Sequence, residues 1–145
     1  MPTWAVLLVG GVIPAACWGV TAIFQKQSAA SGAHPAHYLI AFGAVIAVAG
    51  IGWTLVARDA AWSRPGIVYA ILAGTTFAIA SSLLSFTLWY SGAPISRIAP
   101  ILSGNVLVTV AIGALFLGEG AGLNMAVLGL GTLLIVAGAI LVSNA

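Results

Sequence analysis

Long apolar runs separated by short polar breaks set the pattern of this chain. The first run covers about residues 4–30 and stops at Ser31-Gly32-Ala33-His34-Pro35, where Gly and Pro interrupt a helix. The second covers about 36–57. The most polar stretch follows, Arg58-Asp59-Ala60-Ala61-Trp62-Ser63-Arg64-Pro65-Gly66; its Trp suits a membrane interface and Pro65 suits the opening of a helix. A third run covers about 67–90 and ends at Ser91-Gly92-Ala93-Pro94. A fourth, about 95–117, ends at Gly118-Glu119-Gly120-Ala121-Gly122, and a fifth covers about 123–142. A helix needs about 20 apolar residues to cross hydrocarbon, and each run supplies roughly that many. Strands of a membrane barrel would be about 10 residues long and would alternate in polarity, which these runs do not. The pattern therefore predicts an all-α integral membrane protein, a bundle of five transmembrane helices forming one domain over 1–145. Pro14 makes the first run the one whose continuity is least assured. No hairpin copies another, so no internal repeat is read.

Composition sharpens this picture. Apolar residues make up 62% of the 145 and charged ones only 4%, against about 25% charged in soluble domains. Hydrocarbon is the solvent such a surface fits, and little chain is left for a catalytic domain outside it. The formal net charge of +2 comes from Lys26, Arg58, Arg64 and Arg97 against Asp59 and Glu119. Four scattered cations make no nucleic-acid footprint. A single cysteine, Cys17, forms no disulfide within the chain and leaves the redox compartment open. The start lacks the cationic segment of a secretory signal. Pro14-Ala15-Ala16-Cys17 is a poor lipoprotein cleavage box, since Pro14 stands where Leu is usual. The first run is expected to be a mature helix.

Five spans place the termini on opposite sides. One side then receives the N-terminus, the 58–66 loop and the Glu119 turn; the other receives Lys26, His34, His37, Arg97 and the C-terminus. Lys plus Arg is balanced between them, so the cytoplasmic excess that fixes orientation is missing. Two readings stay open, a fixed orientation with weak signals and a dual insertion that yields an antiparallel pair.

Polar residues inside membrane spans are costly and tend to face the bundle interior. On the first helix Pro14, Trp18, Thr21 and Gln25 are spaced 4, 3 and 4 residues apart, which puts them on one face, with Lys26 beside it at the helix end. On the third helix Thr75, Ser82, Ser85 and Trp89 share a face; on the fourth, Ser96, Pro100 and Ser103 do. Together these stripes are candidates to line a substrate pathway. The plainer reading is that the hydroxyls act as packing glue and that Trp89 anchors at the interface. Lys26 either snorkels to the headgroups or meets an anion in the cavity. Glu119, just before the fifth helix, suits its positive N-terminus. Gly131 and Gly138, one heptad apart, mark a close-packing face within the chain or against another chain. His34 and His37 have no carboxylate or thiolate near them in sequence and read as interfacial histidines. No metal set, nucleophilic triad or phosphate loop is present, so neither an enzyme nor a cofactor is expected.

These residues also resemble a known family. The stretch from Gly92-Ala93-Pro94-Ile95-Ser96-Arg97-Ile98-Ala99-Pro100 to Leu115-Phe116-Leu117-Gly118-Glu119 is similar to the fourth helix of EamA-type proteins in the drug/metabolite transporter superfamily. Gly131-Thr132-Leu133-Leu134-Ile135-Val136-Ala137-Gly138 looks like the helix that follows it there. Trp18-Gly19, with Lys26 eight residues after the Trp, resembles that superfamily's first helix. The three motifs occur in order along the whole chain. Most EamA-type transporters fuse two five-helix repeats, and this chain looks like one repeat standing alone, as in the five-helix bacterial/archaeal transporter family. The four-helix small multidrug resistance proteins are a more distant likeness. Their coupling glutamate lies in the first helix, where this chain has no acid.

The resemblance implies a multi-pass protein of the plasma or inner membrane, one half of an inverted-repeat transporter. It would carry a small-molecule substrate, surrounded by membrane lipid, as a homodimer, the antiparallel arrangement included, or as a heterodimer with a similar chain. Inverted repeats around a midplane site are the common plan of such transporters. A non-transporting assembly subunit and a lipid-linked-sugar flippase are the alternatives. Substrate, coupling ion and direction are not legible.

Overall fold

The computed structural model describes residues 2–57, 63–117 and 124–144. Among these it is helical, with no strand. Five helical stretches are long and apolar enough to cross a membrane: Thr3–Ala30, Pro35–Val56, Arg64–Ser91, Ile95–Phe116 and Met125–Ser143, with mean hydropathies of 1.9 to 2.6. All five predicted runs are therefore helices of spanning length. Two of them are built differently inside.

The first stretch consists of α1 (Thr3–Leu7), a π-helical turn over Leu8–Val12, and α2 (Ile13–Ala30). Pro14 explains the wide turn. It lacks an N–H and its ring crowds the carbonyl four residues back, at Gly10. The chain answers by widening over Gly10 and Gly11 rather than by breaking, a common use of π turns inside helices. The predicted single span holds, with this defect in it.

The next helices begin and end where their sequence says. α3 (Pro35–Val56) carries Pro35 in its first turn, and the His34 side chain caps it by accepting the Ala36 N–H. α4 (Arg64–Ser91) starts three residues before the predicted 67. Ser63 supplies the cap, its Oγ accepting from Gly66 N at 3.3 Å. Its end is set by Gly92, which adopts φ 64°, a left-handed conformation that glycine takes without steric penalty.

The fourth run splits into α5 (Ile95–Leu102) and α6 (Asn105–Phe116). Pro100 lies inside α5 and removes one rung of the ladder. The chain tightens after it: Gly104 N bonds Ile101 O at 2.9 Å, Val106 N bonds Ser103 O at 3.1 Å and Leu107 N bonds Gly104 O at 3.0 Å. These are three-residue steps of the 3₁₀ kind. The last helix, α7 (Met125–Ser143), is capped by Asn124, whose Oδ1 accepts from Val127 N at 3.2 Å. Glu119, expected to complement this N-terminus, lies outside the described residues.

The chain forms two compact units, Met1–Gly92 and Ala93–Ala145. In the first, α2 and α3 both pack on α4. In the second, α7 packs along α5 and α6. The burial pattern is inverted relative to a water-soluble protein. Leu88, 2% exposed, is the one buried large apolar side chain among the described residues, while Gln25, Ser85 and Thr132 are buried polar ones. Trp53, Leu55, Val56, Phe116 and Leu141 face outward with most of their surface bare. Water would penalise so large an apolar exterior, whereas hydrocarbon would not.

Candidate functional site

The polar centre of the first unit forms where α2 and α4 lie side by side with their C-terminal ends together. Gln25 of α2 is 6% exposed and Ser85 of α4 is 3% exposed. Gln25 Nε2 donates to Ser85 Oγ at 2.7 Å and reaches the Ser81 carbonyl oxygen at 3.4 Å. The Ser81 carbonyl fixes which way the amide points, because only the NH₂ can face an acceptor. Gln25 is thereby held by a neighbouring helix. A buried amide left without such a partner costs roughly 1–3 kcal/mol.

Lys26 sits one residue further along and does a different job. Its Nζ donates to the Gly92 carbonyl oxygen at 2.7 Å. The end of α4 carries carbonyls without helical partners and a partial negative charge, and an ammonium satisfies both. Sequence reading offered headgroups or an anion as its contact; the structure adds a backbone carbonyl.

On α3, the His34 ring accepts the Ala36 N–H at its Nδ1, 3.2 Å away. The same ring meets Trp89 edge-on at 5.3 Å between centroids, and His37 at 6.1 Å. Trp89 is thus part of an aromatic contact at the end of α4. Further along, Tyr38 stacks on Phe42 at 5.5 Å and Phe42 on Phe77 at 5.9 Å, which holds α3 and α4 antiparallel.

The remaining stripe residues are more dispersed. Trp18 shares the face of Gln25 yet is 69% exposed, because packing against α4 involves only the last turns of α2. Thr21 gives its hydroxyl to Cys17 O at 2.9 Å, Thr75 to Ile71 O at 2.8 Å and Ser82 to Ala78 O at 2.6 Å. Each is a local bond within its own helix. Of the predicted stripes, the structure brings together Gln25 and Ser85 directly, while Thr75 stands in the exposed half of α4.

Ser96, Pro100 and Ser103 belong to the second unit. Ser103 Oγ bonds Ala99 O at 3.4 Å, and Pro100 is half-buried within α5. In α7 the less exposed residues are Leu128, Thr132, Val136, Gly138, Ala139 and Ser143. Gly131 and Gly138 lie about 100° around the helix from Thr132 and Ala139 respectively, as 3.6 residues per turn requires. A Cβ placed on either would meet no heavy atom within 4 Å. Among the described residues, no side chain or backbone makes the close approach that these glycines allow.

Sequence reasoning missed Ser28, Ser81 and Tyr38. Ser28 follows Gln25 by three residues and so shares its face, a signal that was present. Ser81 lies one turn before Ser85. Tyr38 is on a different helix and reaches the group only through the fold. Among the described residues no group of three or more His, Cys, Asp or Glu is placed to hold a metal ion. No protein family, curated protein or solved structure gives a significant match to this chain.

Proposed function

We propose that this chain is a membrane transporter of the drug/metabolite type. It works as a dimer of five-helix halves in the plasma or inner membrane and exports small organic metabolites or amphipathic compounds by alternating access. The observation that carries this reading is the Gln25–Ser85 hydrogen bond at 2.7 Å, a buried polar contact between two helices whose exteriors are apolar. Polar groups inside membrane spans are costly and tend to face the bundle interior or a cavity, which supports a pathway here beside their use in packing. Five spans also support the dimer. An odd number leaves the two ends of the chain on opposite sides, so a second copy inserted the other way completes an inverted pair. Balanced flanking cations permit that second orientation. The resemblance of the Trp18, Pro94–Pro100 and Gly131–Gly138 regions to EamA-type repeats points the same way.

The test is flux from proteoliposomes loaded with a panel of polar metabolites and amphipathic dyes. Gln25→Ala and Trp18→Ala should each lower the rate about tenfold or more, with the amount of inserted protein unchanged. Undiminished flux in both variants, or no panel member released faster than from protein-free vesicles, would sink the reading. The unused glycine face of α7 favours a second role, as a membrane subunit that stabilises a partner. That role predicts labelling of a cysteine introduced at Ser63 from one side of the membrane only.

A further inference from the structure

The hydroxyls of the first unit divide into two groups. On α2, α3 and α4, those of Thr21, Thr54, Thr75, Thr76, Ser82, Thr87 and Ser91 each bond a carbonyl of their own helix three or four residues back. Ser28, Ser81 and Ser85 do not: the Ser85 hydroxyl accepts from Gln25, Ser81 meets Gln25 through its carbonyl, and Ser28 borders the same seam. The Tyr38 hydroxyl likewise has no hydrogen-bond partner among the described residues. Gln25 itself spends its NH₂ on Ser85 and Ser81, and its Oε1 accepts nothing from the described residues. In an apolar medium a polar group without a partner is costly; the Ser28 and Tyr38 hydroxyls are accessible, and a ligand there could pair with them.

The surroundings show where that ligand would lie. A groove of about 390 Å³ runs along α3, lined by Ala33, His37, Tyr38, Ala41, Phe42 and Val45 with Ser28 at its side. At one end it continues into a seam bounded by Gln25, Ser28, Tyr38 and Ser85, too narrow for a water molecule. Ser28, Ala33 and Tyr38 border both parts. The groove is within the size range of small-molecule sites. It is walled by aromatic and aliphatic groups, and its polar end offers hydroxyls and an amide oxygen. No Lys, Arg, Asp or Glu lines either part, and His37 adds an imidazole to the groove.

We infer that this groove between α2 and α3 binds an uncharged amphipathic molecule, its apolar body along Phe42 and Val45 and its head hydrogen-bonded to the Ser28 and Tyr38 hydroxyls. The head both donates and accepts, as a primary amide or an alcohol does, and Gln25 Oε1 is its second contact when the seam opens. This names a substrate class and so rests on the transporter reading. Charged heads are disfavoured, because no Lys, Arg, Asp or Glu lines the groove to offset the loss of water around them.

A photolabelling experiment tests it. The full chain in lipid nanodiscs is irradiated with a decanamide bearing a diazirine on its alkyl chain, and the labelled residues are mapped by mass spectrometry. Label is expected to concentrate on residues 38–45 of α3, and unlabelled decanamide should displace it at least tenfold better than decanoate or decylamine does. Ser28→Ala and Tyr38→Phe should each reduce labelling about fivefold, the usual effect of one uncharged hydrogen bond. Neither removes a bond that the fold uses, and Val48→Ala, exposed on α3, serves as the unchanged control. Label spread evenly over the lipid-facing helices, equal displacement by all three head groups, or indifference to both variants would overturn the inference. Labelling as expected from a protein that moves nothing across vesicles would keep the site and remove the transporter. Flux that survives Tyr38→Phe with diffuse label would do the reverse.

Discussion

In the first half of α4, Thr75 and Thr76 turn their hydroxyls back to carbonyls of their own helix, and every residue from Val68 to Ala80 is exposed. In its second half, Ser85 receives a bond from Gln25 on another helix and Leu88 is sealed from solvent. The two halves draw on similar residues, hydroxyls among leucines and alanines. What separates them is a neighbour: the last turns of α2 and the first turns of α3 converge on the second half, while α3 reaches the first half at its end, where Phe42 stacks on Phe77. A hydroxyl in an apolar helix is therefore neither a site nor filler by its identity. Its role is decided by whether another helix approaches within hydrogen-bond distance.

Three measurements would sharpen or break this contrast, each read from unfolding of the purified protein in mixed micelles. The largest effect belongs to Leu88→Ala. Lipid is as apolar as Leu, so the loss is one of packing rather than of burial from water, and about 2 kcal/mol is expected. Leu72→Ala, in the half where that side chain is 56% exposed, should cost less than about 0.5 kcal/mol. Similar losses in both would erase the difference between the halves. Next comes the polar contact. A double-mutant cycle of Gln25→Ala with Ser85→Ala should give a coupling of about 0.6–1.7 kcal/mol, the range for hydrogen bonds between membrane helices. A coupling near zero would mean that the 2.7 Å bond contributes nothing to holding α2 on α4. The smallest effect is that of Thr75→Val. Its hydroxyl serves only its own backbone, so the change should stay under about 0.5 kcal/mol; a larger loss would give the exposed half a partner that the chain itself does not provide.

Much of the fold was legible because helix length and apolarity are local properties. All five long apolar helices fall where runs between Gly and Pro breaks put them, within a few residues. The internal defects were less legible. Pro14 and Pro100 both announced trouble, but whether a helix widens, as over Leu8–Val12, or tightens and splits, as at Ser103-Gly104, depends on what flanks the proline. Two glycines precede Pro14, while Ser103 and Gly104 follow Pro100. Gln25 stood out as an amide on an apolar face, and its partner Ser85 was in the stripe on the third predicted helix. Their pairing was not readable, since a helical wheel gives a face and never says which turn of the neighbour lies opposite. Trp18 shows the same limit from the other side: it has the right face and no helix across from it. Lys26 was ambiguous for the reason that its long stem reaches headgroup, anion or carbonyl equally well, and only the position of Gly92 chose among them.

The π-helical turn near the N-terminus has a consequence for how this span can vary. Such a turn carries one residue more than an α-turn, so everything before it is swung by about 100° relative to everything after it. Leu7 stands one heptad before Pro14, a spacing that would align the two on a regular helix; across Leu8–Val12 it does not, and Leu7 is exposed while Pro14 is half-buried. The first span is thus two wheels joined out of phase. An insertion or deletion of a single residue among Leu8, Val9, Gly10, Gly11 and Val12 would leave the Gln25 end untouched and redirect only Trp4 and its neighbours. The N-terminal turn can in this way change what it faces without any change in the polar centre.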